Sequence, residues 1–193
     1  MKFRLLAVVI ALSLTTIAAH AQVGLYLNPI AIRVSNAKAD TGPFAFLGEN
    51  STSNMFYGVD FGGYYNFYHQ GKTEVGVDMR DIIVHGDRAS LNSFLVGVRV
   101  AARPFRMPLK PYIQGSVGAG TTRPATTTVR TTRAQFGIFG GADYELNHHV
   151  DFRVVEVGFN SVTTASSSTI AGIGDLPASR MLSVSTGFVF RFH

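Results

Sequence analysis

From residue 24 to the C-terminus, apolar and polar side chains alternate with a period of two, stretch after stretch. Successive side chains on an extended chain point to opposite faces, so this pattern predicts strands with one apolar face each. Eight such stretches stand out, at 24–34, 54–67, 73–83, 92–103, 111–120, 134–146, 150–159 and 180–192, each rich in Val, Ile, Phe, Tyr and Thr. The last is the most regular: Leu182, Val184, Thr186, Phe188, Phe190 and Phe192 share one face, with Ser183, Ser185, Gly187, Val189 and Arg191 on the other. The fourth sets Phe94, Val96, Val98 and Val100 against Ser93, Gly97, Arg99 and Ala101. The second, third and sixth alternate in the same way around Val59, Val77 and Ile138.

Half-buried sheets of many kinds alternate like this; the connections narrow the choice. Segments 35–53, 121–133 and 160–179 are long, the intervening connections are short, and 84–91 is intermediate. Long loops at one end and short turns at the other mark an outer-membrane barrel, with both termini on the periplasmic side when the strand number is even. The four connections 35–53, 84–91, 121–133 and 160–179 are then expected outside. The fold class expected is all-β, an eight-stranded antiparallel up-and-down transmembrane β-barrel. Two strands break the rhythm. Strand one changes apolar phase between Leu27 and Ile30, which suggests a bulge near Asn28–Pro29. In strand seven, Phe152 and Val154 on the lipid face would push Glu156 into lipid. A bulge after Val154 would turn Glu156 inward; otherwise it sits at the outer rim.

The N-terminus sets the expected compartment. Met1–Arg4 is short and basic, Leu5–Ala19 is mostly apolar, and Ala19-His20-Ala21 has the small-residue spacing of a cleavage site. Residues 1–21 are therefore expected to be a secretory signal peptide, leaving a single domain over 22–193. Loss of Lys2 and Arg4 lowers the formal net charge from +5 to +3, so the basic balance is no argument for nucleic acid. Cysteine is absent, which removes disulfides, thiolate metal sites and lipoprotein anchoring. No later segment has 18 consecutive apolar residues, so an exported chain of this kind enters a membrane only as a closed barrel.

The chain resembles the outer-membrane protein A-type family of small eight-stranded transmembrane barrels. The residues that carry the likeness are Gly63-Tyr64-Tyr65, Pro111-Tyr112 with Gly115, Gly118 and Gly120, and the aromatic C-terminus. The resemblance implies that Phe188, Phe190 and Phe192 form the C-terminal signal read by the barrel-assembly machinery, although His193 follows the usual terminal aromatic. Some members carry a cell-wall-binding domain after the barrel; none is expected here.

An eight-stranded barrel is just wide enough to be filled by side chains. The predicted inward face carries Asp60, Glu74, Asp78, Asp143, Glu145 and Asp151 together with Arg80, Arg99, Arg103, Arg153 and Arg191. Unpaired charges inside would be costly, so a salt-bridged plug is the favoured reading over a solute-selective lumen. Outward aromatic girdles are expected from Tyr65, Phe67, Tyr144, Phe152, Phe190 and Phe192 near the periplasmic end, and from Phe56, Tyr57, Phe136 and Phe159 near the outer end. Arg123, Arg130 and Arg133 at the outer rim are candidates for contact with the phosphates of outer-membrane lipid.

Nucleophilic catalysis needs Ser, His and an acid on neighbouring strands. His69, His148 and His149 fall in predicted turns and His85 in a predicted loop, none inside a strand beside a serine. The adjacent His148 and His149 point apart on an extended chain, and Gly115–Gly120 lacks both the spacing and the helix of a dinucleotide site. No catalytic residue, metal site or cofactor is expected. The leading function is a monomeric structural or surface-interaction barrel of the bacterial outer membrane, acting through its loops without turnover. The alternatives are a narrow channel for solutes or ions, and a secreted lipocalin-like ligand-binding barrel.

Overall fold

The computed structural model describes residues 22–39, 46–48, 50–87, 89–103, 107–125, 128, 130–163 and 178–192. The expected signal peptide, most of the connection before the last strand, and His193 lie outside the described residues. The described residues form eight strands: β1 (Gln22–Ser35), β2 (Ser53–Gln70), β3 (Thr73–Gly86), β4 (Ala89–Ala102), β5 (Leu109–Arg123), β6 (Thr131–Glu145), β7 (Val150–Thr163) and β8 (Ala178–Phe192). Each pairs antiparallel with its sequence neighbours, and β8 closes on β1. The alternation read from the sequence reappears as alternating burial, with the apolar residues facing out. Leu27, Val98, Ile138, Phe159 and Phe188 are all exposed on the outer wall. That arrangement excludes a lipocalin-like barrel, whose apolar side faces a central cavity.

The strands are staggered. A walk through paired residues from Leu25 passes Gly63, Met79, Val96, Val117, Phe136, Ser161 and Arg180 and returns to β1 at Ser35, ten residues higher. Such shear tilts the strands and closes a sheet of this size around a packed interior. Both termini lie at one end with the connections 71–72, 103–108 and 146–149, and the connections after β1, β3, β5 and β7 lie at the other. Gly71, at φ 60°, takes the first central position of a two-residue hairpin, where the II′ class favours glycine.

Three expectations need correction. The segment 84–91 is not a loop: β3 and β4 stay paired as far as Gly86 and Ala89, leaving two residues between them. The phase change in β1 is not a bulge, since its register with β2 is continuous and its burial alternates throughout. The interior itself changes character along the barrel, polar beside Asn28 and apolar beside Ile30, Ile32 and Val34, while Leu25 and Leu27 face lipid. Phe56 is no girdle residue; it is fully buried inside and stacks on Phe46 with ring centroids 5.1 Å apart. Tyr57, Phe136 and Phe159 are exposed on the outer wall, as are Phe67, Tyr144, Phe190 and Phe192 toward the other end. Strand seven does carry a bulge. Its registers with both β6 and β8 shift at Val154–Val155, both of which face out, and Glu156 is turned inward.

Candidate functional site

The lumen is built in three tiers. At the turn end, Lys110 contacts Asp151 at 3.1 Å and Glu145 at 3.3 Å, while Arg191 contacts Asp151 at 3.0 Å and Glu145 at 3.3 Å. Arg191 also donates to the Asn147 carbonyl at 2.7 Å, tying the network to the β6–β7 turn. Arg103 lies just beyond β4, half exposed, and reaches Glu145 from the rim at 3.3 Å. Glu74 stands apart from these groups, accepting from Asn66 at 2.8 Å beside His69.

The middle tier is a column of guanidinium groups between aromatic rings. Arg99 lies between Tyr64 and Tyr112, 4.3 Å from each ring centre. Arg153 lies between Tyr112 and Tyr26, and Arg80 between Tyr26 and Phe139. Ring faces attract these cations, and the planar fork leaves its edge free for carboxylates. Arg80 grips Glu156 with both terminal nitrogens, at 2.8 and 3.1 Å, while its Nε reaches Asp78 at 3.2 Å and its Nη1 lies 3.5 Å from Asp60. Arg153 and Arg99 share Asp143, each at 2.9 Å. Neutral groups add further bonds: Tyr112 donates to Glu156 at 2.6 Å, Tyr26 to Asp78 at 3.0 Å, and Gln114 to Asp78 at 2.7 Å, while Asp60 Oδ1 and Arg99 Nε have no hydrogen-bond partner among the described residues.

Glycines make room for the rings. A Cβ at Gly24 would lie 2.3 Å from the Tyr64 ring, and one at Gly62 would lie 2.6 Å from the Tyr26 hydroxyl. Across the two ionic tiers, six acids (Asp60, Asp78, Asp143, Glu145, Asp151, Glu156) meet six bases (Arg80, Arg99, Arg103, Lys110, Arg153, Arg191) among the described residues. Balanced, hydrogen-bonded pairing is what a desolvated interior requires.

The third tier, toward the loop end, is mainly apolar, with Gln135, Asn160, Ser179 and Ser183 also buried there on β6, β7 and β8. Ile30, Ile32, Val34, Phe56, Ile82, Val84, Leu91, Leu95, Phe139, Val162 and Met181 form one buried cluster with Phe46 and Leu47. Those last two belong to the β1–β2 connection, and they sit inside the barrel mouth as a cork. The sequence pattern had not assigned this cork. Nor had it assigned Glu156 to the network, or Lys110, Gln114, Tyr26, Tyr64 and Tyr112. Lys110 precedes the predicted start of strand five by one residue. Tyr26 and Tyr64 sit on the polar parity of their strands, which was the available signal.

At the outer rim, Arg123 and Arg130 line a pocket of about 150 Å³ with His85, Ser90 and Thr121. Arg133 is exposed but shares the parity of buried Gln135, so it faces the barrel mouth. The structure corrects the placement of His85, which lies in β3 directly opposite Ser90. No acid among the described residues pairs with it, and no cluster of three metal-ligating side chains occurs among them. Phe188, Phe190 and Phe192 line the outward face of β8, beside its seam with β1.

The sequence profile described as outer membrane protein beta-barrel domain matches residues 5–190. No curated protein sequence matches. Among solved structures, Neisserial surface protein A superimposes with a TM-score of 0.59 at 12% identity, covering 88% of this chain and 97% of that one. Ail, the attachment invasion locus protein of Yersinia pestis, gives a TM-score of 0.50 at 8% identity, covering 89% and 99%. At such identities these likenesses speak for the fold alone. With the closed eight-stranded wall, the outward apolar belt and a profile spanning nearly the whole sequence, the chain belongs to the outer-membrane protein β-barrel family of the bacterial outer membrane.

Proposed function

We propose that this protein is a monomeric surface-interaction barrel, exported by cleavage of residues 1–21, which acts through its outer loops without turnover. The observation that carries this reading is the filled lumen. Ion pairs occupy the periplasmic half and an apolar cluster corked by Phe46 and Leu47 occupies the other. Buried side chains fill the lumen at both depths, which weighs against the channel alternative. The long connections are then the parts left to meet a partner. Arg123 and Arg130 anchor the rim by pairing with lipid phosphates, with Arg133 available at the mouth. Phe188, Phe190 and Phe192 serve the barrel-assembly machinery during biogenesis.

The test has two arms. In planar bilayers the purified protein is expected to give no current steps above the lipid baseline. Cells carrying the intact chain are expected to adhere to surfaces more than cells carrying a variant with 37–50 and 165–176 replaced by short Gly-Ser linkers. Reproducible current steps, together with unchanged adherence, would restore the channel reading.

A further inference from the structure

The outer wall across β7, β8, β1 and β2 is interrupted on both flanks of β8. Pro29 lacks an N–H to donate, and the β8–β1 ladder lapses where Asn28 and Pro29 face Thr186 and Gly187. On the other flank of β8, the Val154–Val155 bulge breaks the β7–β8 ladder beside the same Thr186. Its hydroxyl donates instead to the Arg153 carbonyl at 2.8 Å. The wall opens outward there into a groove of about 390 Å³, lined chiefly by Pro29, Ala31, Tyr57, Val155, Val184 and Thr186.

The groove lies within the apolar belt, and a pair of cations stands above it. Arg33 on β1 and Arg180 on β8 both face outward and are exposed at the loop end. Arg33 pairs with Leu182 and Ser35 with Arg180, so the two arginines are diagonal neighbours on one face. Diagonal positions lie roughly 7–8 Å apart at Cα, a spacing two guanidinium groups can bridge around one phosphate. Among the described residues neither arginine enters an ion pair. Basic headgroup contacts above an apolar channel in the hydrocarbon zone match an amphiphile with a phosphate at one end and an acyl chain at the other.

We infer that this face holds one phosphate-bearing lipid of the outer leaflet, its headgroup between Arg33 and Arg180 and one acyl chain in the groove below. The site is on the opposite wall from Arg123 and Arg130 and stands whether or not the loops act in adhesion. The bulge and Pro29 interrupt the wall at the level where the acyl chain lies.

Native mass spectrometry of the detergent-extracted protein with added dioleoyl phosphatidate tests this. One phosphatidate per barrel is expected to persist, with dioleoyl phosphatidylcholine bound at a tenth of that occupancy or less. The paired substitution R33E/R180E and the groove-filling A31F are each expected to lower phosphatidate occupancy at least tenfold, while R123E/R130E leaves it unchanged. V184F fills the same groove from β8 and replaces A31F if that variant does not assemble, as judged by heat-modifiable gel mobility. Wild-type occupancy in both the charge and groove variants would overturn the inference. So would displacement by millimolar inorganic phosphate, which would mean that only a headgroup is recognised. A dimer lost on groove filling would likewise overturn it, making the face a contact between copies.

Discussion

Replacing Arg80 with methionine tests whether the lumen is dry. Arg80 is fully buried and contacts three carboxylates, those of Glu156, Asp78 and Asp60. The consequences for the three differ. Glu156 retains Arg153 at 3.4 Å and Tyr112 at 2.6 Å, and Asp78 retains Tyr26 and Gln114. Asp60 is left with no ion-pair partner among the described residues, only the more distant charge of Arg153. Breaking a buried ion pair by removing one partner costs about 3–5 kcal/mol, mostly from the charge left behind. Methionine keeps much of the apolar volume against Phe139, so the expected loss is about 4 kcal/mol, assigned largely to the stranded carboxylate at position 60.

That assignment makes a double-substitution cycle informative. Asp60→Asn alone removes only the long 3.5 Å contact, and about 1 kcal/mol is the expected cost. In the Arg80→Met background the same change neutralises the stranded group, so the double variant is expected to lose about 3 kcal/mol rather than the sum of the singles. The chain has no tryptophan, so urea titration in lipid vesicles is followed by far-ultraviolet circular dichroism with gel mobility alongside. A loss below about 1 kcal/mol for Arg80→Met, or strictly additive singles, would mean that water screens the network. The dry-plug reasoning would then fail, and with it the main argument against conduction.

Three further outcomes are expected from the same titration. Asp81 faces outward between Phe61 and Phe94, and the barrel stagger sets it level with Val59 and Val117 inside the apolar belt. One of its carboxylate oxygens lacks a hydrogen-bond partner, so Asp81→Val should stabilise the barrel by about 1–2 kcal/mol; a loss instead would reveal a partner in the membrane. Gly24→Ala should cost about 2 kcal/mol, because the new methyl meets the Tyr64 ring held against Arg99, and Tyr64→Leu in that background should recover part of it. Deleting Val155 should leave a folded barrel, since Arg153 and Glu156 keep their inward parity, whereas deleting Val157 should prevent assembly by turning Gly158 and Asn160 outward.

Alternation made the wall legible because a closed sheet between lipid and a polar interior enforces it at nearly every position. Connections were harder to read. His85 and Ser90 are polar, so 84–91 resembled a loop, yet they extend β3 and β4 along the rim. Glu156 was legible only as a contradiction, and the bulge resolves it. In β1 a bulge was inferred from the same kind of phase slip, and there the cause was different. Period two records which side a residue faces, not whether that side is polar at a given depth. Ile30 and Ile32 look outward only if the lumen is assumed polar throughout. The cork was illegible for a related reason, because Phe46 and Leu47 belong to no periodic stretch.

The irregularities at Pro29 and at Val154–Val155 answer no demand of the interior. Without Val155, β7 would still present Arg153 and Glu156 to the lumen in the registers that β6 and β8 already set on either side. Pro29 faces outward and contributes nothing to the ion-pair column, while its neighbour Asn28 is the buried residue. Neither feature is needed to fill the lumen, and each removes hydrogen bonds from the wall at a depth where no water replaces them. Both also flank a single residue, Thr186, whose side chain partly restores the lost bonding. Two independent interruptions converging on one strand position, beneath two outward arginines, match a requirement imposed from the lipid side. Regularising β7 by deleting Val155 is expected to spare the fold and lower phosphatidate occupancy, separating what the wall does for the barrel from what it does for the membrane.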